Sequence, residues 1–198
     1  MLAAALVALA LAAPPVTHDV LPVFVPPAGT TSASGVDYQY TWGGSTPLGI
    51  PPLGVFDRPR RARDVLPAPA RTFARFAHGE ARRSRLLIAA DGASVYAFPK
   101  AGGQLCVVRE PNGGGTCVSS FVHGAYPQVE PRREVWGVVD DAATSVDVTV
   151  DGRVLHAALG RNAFYLALPH GAVVPTRIVV HERGGVRHVY VVKRLGPA

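Results

Sequence analysis

The sequence predicts a mainly β domain, built as an antiparallel sheet or a β-sandwich, with one short helix and an extended N-terminal arm. Three observations support this prediction. The 198 residues include 18 prolines and 21 glycines, which favour short elements broken by turns. After Ser84, strand-like runs rich in β-branched residues follow one another at short spacing. Dipeptides typical of tight hairpin turns separate several of these runs: Asp91-Gly92, Asp151-Gly152 and Gly184-Gly185.

The first 12 residues have the composition of a secretory signal peptide. This uncharged run, rich in Leu, Ala and Val, ends in small residues, and cleavage after Ala12, or alternatively after Ala10, fits the small-x-small rule. No basic residue precedes the run, so a buried terminal helix and an uncleaved anchor remain open as alternatives. The run is shorter than the roughly 20 apolar residues of a membrane span. We therefore expect a protein that is secreted or associated with the cell envelope, without a transmembrane span after cleavage.

Residues 13–57 form the predicted arm, because they contain no Lys or Arg and are rich in Pro, Gly, Ser and Thr. Within the arm, three aromatic residues alternate and would point to one side of a strand: Tyr38, Tyr40 and Trp42. If exposed, these rings could bind sugar rings or a protein partner. The interpretation that we favour is burial against the main sheet, since large aromatic side chains are mostly buried.

The predicted single β-rich domain covers residues 58–198 and begins with a basic segment, residues 58–85. This segment holds nine arginines and two acidic residues. Within it, residues 70–78 have the spacing of a short amphipathic helix that ends at Gly79. The predicted buried face of this helix consists of Phe73, Phe76 and Ala77.

The arginines of the basic segment are candidates for binding an anionic partner. The net charge of +6 permits such a partner, for example an anionic cell-wall polymer or anionic lipid head groups. The candidate ligand-binding residues are Arg58, Arg60, Arg61, Arg82 and Arg83. A solvated helix face is the commoner interpretation of a charge-rich stretch. An envelope protein is the alternative partner, and export disfavours nucleic acid.

From residue 84 onward, the pattern predicts short strands. Additional strands are expected at residues 86–90, 94–99, 134–139 and 162–168. In the hairpin around Asp151-Gly152, apolar and polar residues alternate, which predicts one buried and one solvent-exposed face. Val148 is expected to pair with Leu155. In the hairpin around Gly184-Gly185, the same reasoning sets His181 opposite His188.

The chain contains two cysteines, Cys106 and Cys117, which flank a glycine-rich turn. Both lie in strand-like runs, and a hairpin centred between Pro111 and Asn112 sets them directly opposite one another. That spacing is compatible with a disulfide between neighbouring strands. Because disulfides persist outside the cytoplasm, the pair supports the expectation of export.

The opposed His181 and His188 are the strongest candidates for a metal site. Two imidazoles on one face could share a transition metal, but two ligands seldom suffice. Asp147 opposite His156 on another hairpin would add donors if the hairpins meet. An ordinary exposed cross-strand pair is the interpretation that we favour, and no metal or other cofactor is predicted.

Between residues 58 and 169 the chain carries five strand-and-turn motifs in succession: SRLL, VYAFP, GGQLCVV followed by GGGTC, WGVVDDAATSVDVTVDG and GRNAFYLALP. With these motifs the chain resembles a group of uncharacterised exported proteins of high-GC actinobacteria. The resemblance implies a shared small β fold and no assigned activity. Asp140-Asp141 departs from the expected Pro-Asp-Gly and puts only that turn's geometry in doubt.

The sequence therefore favours a non-catalytic binding or structural module of the cell envelope or extracellular space. The motifs G-x-S-x-G, H-E-x-x-H, Walker A and the EF-hand loop do not occur, and no catalytic residue is assigned. The alternative is a secreted hydrolase with an unrecognised His-containing site. A hydrolase predicts a concave pocket in which His, Asp and Ser converge, whereas a binding module predicts a face rich in Arg or exposed aromatic residues.

Overall fold

The computed structural model describes residues 17–25, 50–111, 114–121, 123–130, 133–172 and 174–194. In chain order, the helix and strands of these ranges are β1 (Thr17–Val25), α1 (Ala68–Phe76), β2 (Arg85–Ala90), β3 (Ala93–Lys100), β4 (Gln104–Glu110), β5 (Gly114–Val118), β6 (Ala125–Glu130), β7 (Glu134–Val139), β8 (Ala143–Val150), β9 (Arg153–His156), β10 (Ala158–Leu159), β11 (Ala163–Ala167), β12 (Arg177–Glu182) and β13 (Arg187–Arg194). Short 3-10 turns complete the described structure.

The strands form three sheets that stack as layers. The helix-side sheet has the order β2-β3-β4-β5, the central sheet β10-β11-β7-β6 and the outer sheet β1-β13-β12-β8-β9. Neighbouring strands are antiparallel, except that β1 runs parallel to β13. The prediction of a mainly β, antiparallel fold with one short helix is confirmed. The stack of three sheets is more elaborate than the single sheet or sandwich that the sequence predicts.

The central sheet is buried on both of its faces. On β7, Val135 and Val139 belong to the core shared with the outer sheet, whereas Trp136 and Val138 belong to the core shared with the helix-side sheet. This division follows from the alternation of side chains along a strand. Every residue of β7 is buried, because the central sheet has another layer on each side.

The Asp151-Gly152 hairpin has the predicted register, with Val148 paired to Leu155. The Asp91-Gly92 hairpin closes in the same way between β2 and β3. In both turns the Asp and the Gly have positive φ angles, which two-residue hairpin turns require and which these residue types tolerate. The turn residues therefore set the pairing next to each turn, whereas the β2–β3 register shifts farther along, between Leu86 and Ile88.

The predicted register of the last hairpin is wrong by one residue. Arg183–Gly185 form a three-residue 3-10 turn, so His181 pairs with Arg187 and Val180 pairs with His188. Both glycines of this turn have a φ of 81°, which lets the chain reverse through a loop one residue longer than predicted. Because strand side chains alternate, the shift places His181 and His188 on opposite faces of the outer sheet.

The helix is confirmed, but its buried face differs from the prediction. Phe76 was expected to be buried and is instead 81% exposed. The residues that pack onto the helix-side sheet are Ala70, Phe73, Ala74 and Ala77. Their spacing of three and four residues forms one continuous stripe along a helix. Three small alanines in this stripe allow a close approach to the sheet, whereas Phe76 lies beside the stripe and points outward.

Two parts of the predicted N-terminal arm are described. The strand β1 forms one edge of the outer sheet. Leu53 and Val55 are buried in the core between the helix-side and central sheets, so residues 50–57 pack as part of the β domain. The predicted signal peptide lies outside the described residues, as do the aromatic residues of the predicted stripe, Tyr38, Tyr40 and Trp42.

A disulfide joins Cys106 and Cys117, as predicted, with an S–S distance of 1.98 Å. The two residues are directly opposite one another in the β4–β5 hairpin. Cys106 is fully buried among the residues that pack beneath α1. The disulfide therefore joins β4 to β5 beneath α1.

Candidate anion-binding groove

A groove of about 360 Å³ lies where the edges of two sheets meet. One wall is formed by residues 86–90 of the edge strand β2, and the opposite wall by residues 158–161, which include the edge strand β10. The backbone N–H of Arg161 donates to the carbonyl oxygen of Leu87 at 3.0 Å and joins the two edges. A Cβ on Gly160 would lie 2.6 Å from this oxygen, so the close approach requires glycine there.

Arg58 lines the groove, but its guanidinium already has a partner. Its Nη1 and Nη2 donate to the carboxylate of Asp64 at 2.6 and 2.7 Å, and only 9% of its side chain is exposed. Asp64 is fully buried and also accepts hydrogen bonds from the backbone N–H groups of Arg61 and Leu86 at 2.6 and 2.9 Å. These bonds attach the 3-10 turn Ala62–Asp64 to β2. Arg58 as a ligand-binding residue stays a prediction.

The surroundings of Asp64 keep its carboxyl group ionised. Burial alone would raise its pKa. The hydrogen bonds from Arg58, Arg61 and Leu86, with the positive charge of Arg58, outweigh burial and hold the pKa of Asp64 well below its ordinary value of 3.8. The hydrogen bond to Asp64 likewise raises the pKa of Arg58. The two groups therefore neutralise one another in the wall of the groove.

Three further arginines line the groove: Arg61, Arg63 and Arg161. All three are exposed. Among the residues that the structure describes, no carboxylate forms an ion pair with any of the three guanidinium groups. None of the described residues that line the groove is Asp or Glu. The groove therefore concentrates positive charge that the protein itself does not neutralise.

The five arginines predicted from the sequence do not form one site. Arg58 and Arg61 line the groove, and Arg60 is exposed outside its lining. Arg82 and Arg83 are exposed in the 3-10 turn Ala81–Arg83, which packs against α1. The basic segment is thus divided between the groove and a second surface around the helix.

Two residues of the groove, Arg63 and Arg161, were not singled out by the sequence. Arg63 belongs to the basic segment, and only the geometry of the 3-10 turn distinguishes it from its neighbours. Arg161 follows Arg61 by 100 residues and lies in a short loop without a charge pattern. No sequence signal connects it to the basic segment, because the folding of the central sheet beside β2 brings the two together.

The hairpins that carry His156 and His181 do meet, on either side of Asp147. One carboxylate oxygen of Asp147 lies 2.7 Å from Nδ1 of His156, and the other lies 2.9 Å from Nε2 of His181. In the described ranges, no group of three His, Cys, Asp or Glu side chains is arranged to hold a metal ion.

His188 lies on the opposite face of the outer sheet from His181. It is 6% exposed, its Nε2 is 2.9 Å from Glu182, and its ring stacks on that of His123 with centroids 5.3 Å apart. The predicted His181–His188 pair therefore does not form. Each histidine has its own carboxylate partner.

A buried polar network joins the helix-side and central sheets. Arg109 of β4 forms an ion pair with Glu134 of β7, and the hydroxyl of Tyr165 donates to the same carboxylate at 2.8 Å. Glu134 is only 2% exposed. Burial raises the pKa of Tyr165, which keeps its hydroxyl protonated as a donor. Because these contacts cross from β4 to β7 and β11, the network holds two layers together.

The fold and the groove define a class of protein: a disulfide-bonded β domain of three stacked sheets with a basic groove between two sheet edges. Comparison with known proteins finds no matching family model, no matching curated protein and no matching solved structure. The resemblance to exported actinobacterial proteins stays a prediction. Within the described ranges, no helix is both long enough and apolar enough to cross a membrane.

Proposed function

We propose that this protein is an exported, non-catalytic binding module of the cell envelope or extracellular space, and that it binds an anionic polymer in the basic groove. One observation carries the proposal. The exposed guanidinium groups of Arg61, Arg63 and Arg161 line one groove without a carboxylate partner in the described structure. Guanidinium groups bind phosphate and carboxylate through paired, charge-assisted hydrogen bonds.

The length of the groove supports a polymer over a single small anion. Five consecutive residues of β2 form one wall, and a strand of this length extends for about 13 Å. Three exposed arginines, Arg61, Arg63 and Arg161, line the same groove. A chain of repeating anionic units could therefore contact more than one guanidinium at a time.

The edge of β2 is a poor site for an added peptide strand. The backbone N–H of Leu86 donates to Asp64, its carbonyl accepts from Arg58 at 3.5 Å, and the carbonyl of Leu87 accepts from Arg161. An edge covered in this way resists pairing with another strand. The groove offers charged side chains to its ligand, and these suit an anionic polymer better than an extended peptide.

The alternative of a secreted hydrolase gains no support from the groove. The residues described in its lining include no His, Asp, Glu or Ser. General acid–base or nucleophilic catalysis requires such groups within reach of the substrate. Binding without chemistry is the function that this lining supports best.

Replacing Arg61, Arg63 and Arg161 together by Gln is expected to weaken the binding of long-chain polyphosphate about 30-fold. Exposed ion pairs contribute up to about 1 kcal/mol each, so losing three removes about 2 kcal/mol. Titration calorimetry at about 0.15 M salt, where distant charges are screened, measures the change, with polygalacturonate as a carboxylate polymer and dextran as a neutral one. Thermal unfolding verifies that the variant remains folded.

The matched control replaces three exposed arginines elsewhere by Gln: Arg133, Arg153 and Arg177. It removes the same net charge, and we expect less than a threefold loss, because long-range attraction is weak and screened by salt. Equal losses in the two variants would mean that net charge, and not the groove, attracts the polymer. If neither anionic polymer binds the unmodified protein, the proposal is wrong.

A further inference from the structure

The outer face of α1 carries an exposed aromatic side chain on a fixed platform. Phe76 is 81% exposed, the most of any large hydrophobic residue in the described structure. The adjacent buried stripe of the helix packs on the helix-side sheet through Ala70, Phe73 and Ala74. Beneath the helix, Cys106 and Cys117 crosslink the hairpin. Phe76 is therefore displayed from an anchored helix and not from a loose loop.

The surface around Phe76 is strongly basic. Arg71 and Arg75 are exposed on α1, and the guanidinium of Arg75 donates to Thr72 at 3.4 Å, one turn before Phe76. Arg82 is exposed in the adjoining 3-10 turn, which packs against α1. Arg71, Arg75 and Arg82 form no ion pair with a described carboxylate.

Acidic residues are scarce on this surface. Glu80 is the single acidic residue between positions 65 and 90. It is paired with Arg83 at 3.2 Å, and both side chains are largely exposed. The surface formed by Phe76, Arg71, Arg75 and Arg82, which we call the helix patch, is therefore positive and carries one exposed aromatic side chain.

We propose that the helix patch docks the protein on an anionic lipid surface. Phe76 would enter the boundary between head groups and acyl chains, while the arginines contact lipid phosphates. A water-soluble phosphate polymer would satisfy the arginines but would leave Phe76 in water. An anionic bilayer matches both features, because basic residues are attracted to its surface charge and an aromatic ring gains by leaving water at the interface. This docking is independent of the polymer groove.

Flotation with lipid vesicles tests the proposal on the full chain. We expect the protein to float with vesicles of equal parts phosphatidylglycerol and phosphatidylcholine, and F76S to bind them about tenfold more weakly, as expected for the loss of an inserted aromatic side chain. The matched control is V154S, which removes another exposed apolar side chain, 56% exposed on β9. V154S should float like the unmodified protein.

A second measurement locates residue 76 itself. In F76W, brominated lipid in the anionic vesicles should quench the added tryptophan fluorescence, after subtraction of the signal of the unmodified chain. Phosphatidylcholine vesicles should not quench it. This readout reports the position of residue 76 even if the apolar N-terminal residues hold the chain on both kinds of vesicle.

The other outcomes are also decisive. Equal flotation of F76S and the unmodified protein, together with no quenching of Trp in F76W, overturns the proposal. If polyphosphate binds the helix patch while vesicles do not, the patch is a polymer site and lipid docking is wrong. If the protein binds an acidic protein in a way that depends on Phe76 and does not bind vesicles, the proposal is wrong as well. The groove variant lacking Arg61, Arg63 and Arg161 should still bind vesicles, so the two proposals succeed or fail separately.

Discussion

Replacing Asp64 by Asn is expected to lower the free energy of unfolding by about 3 kcal/mol or more. The carboxylate is fully buried and accepts four hydrogen bonds, two of them from the guanidinium of Arg58. An amide removes the negative charge and turns one acceptor into a donor, so Arg58 keeps a largely buried charge without a counterion. Breaking a buried ion pair from one side typically costs about 3–5 kcal/mol. Urea unfolding measures the loss.

The effect of D64N should depend on pH in a defined direction. The folded-state pKa of Asp64 lies below its ordinary value of 3.8, so the unfolded chain binds this proton more readily than the folded chain does. The contribution of Asp64 to stability is therefore complete above about pH 5 and is lost as the pH falls toward the folded-state pKa. The difference in stability between D64N and the unmodified protein should shrink across the same interval.

The control for this prediction is D57N, since Asp57 is exposed. We expect D57N to change stability by less than about 0.5 kcal/mol. Because Asp64 attaches the turn that carries Arg61 and Arg63 to β2, D64N should also weaken polyphosphate binding by the protein that remains folded. Coincident urea midpoints of D64N and the unmodified protein at neutral pH would show that this ion pair does not hold the turn in place.

Local turn chemistry decided how well strand pairing could be predicted. Asp151-Gly152 provides two residues that accept positive φ, and its hairpin pairs as expected. Gly184-Gly185 provides the same freedom, but Arg183 joins the turn and shifts the register by one residue. Two glycines permit more than one loop length, so their presence does not select among registers. Contacts of β12 with β8 on its other side also constrain the strand, and these contacts are not local in sequence.

The buried face of α1 likewise depends on contacts that are distant in sequence. Hydrophobicity alone favoured Phe76 as a core residue, yet the face that packs is made of alanines and Phe73. The sheet beneath already supplies large side chains such as Tyr96 and Phe98. Small residues therefore fit the space that is left. The helical period predicts which positions share a face, but it does not tell how large the side chains of the sheet beneath that face are.

The groove could be predicted only in part for a related reason. The basic composition of residues 58–85 indicated an anionic partner, and Arg61 was among the candidates. The burial of Arg58 against Asp64 and the arrival of Arg161 depend on how β2 and β10 approach one another. An edge-to-edge contact between two sheets leaves no periodic pattern in either segment. Composition could therefore suggest the charge of the site but not its members.

Removing the disulfide by replacing both cysteines with Ala is expected to lower the free energy of unfolding by about 3 kcal/mol. The two cysteines are 11 residues apart, and closing a loop of this size reduces the entropy of the unfolded chain by roughly that amount. The loss of the buried sulfur of Cys106 adds to the effect. Guanidinium unfolding of the variant and of the unmodified protein, each with and without a reductant, measures it. Reductant should shift the unmodified protein toward the variant and leave the variant unchanged.

The loss should also be localised to one side of the molecule. The disulfide joins β4 and β5, and α1 packs against both strands, so the double variant should show faster amide hydrogen exchange in β5 and α1. Exchange in β8 and β12 of the outer sheet should change little, because the central sheet lies between them and the helix-side sheet that carries the disulfide. If exchange rises equally in all three sheets, the bond stabilises the domain as a whole. Because α1 also carries the helix patch, localised loosening would weaken vesicle binding by the double variant while leaving the groove intact.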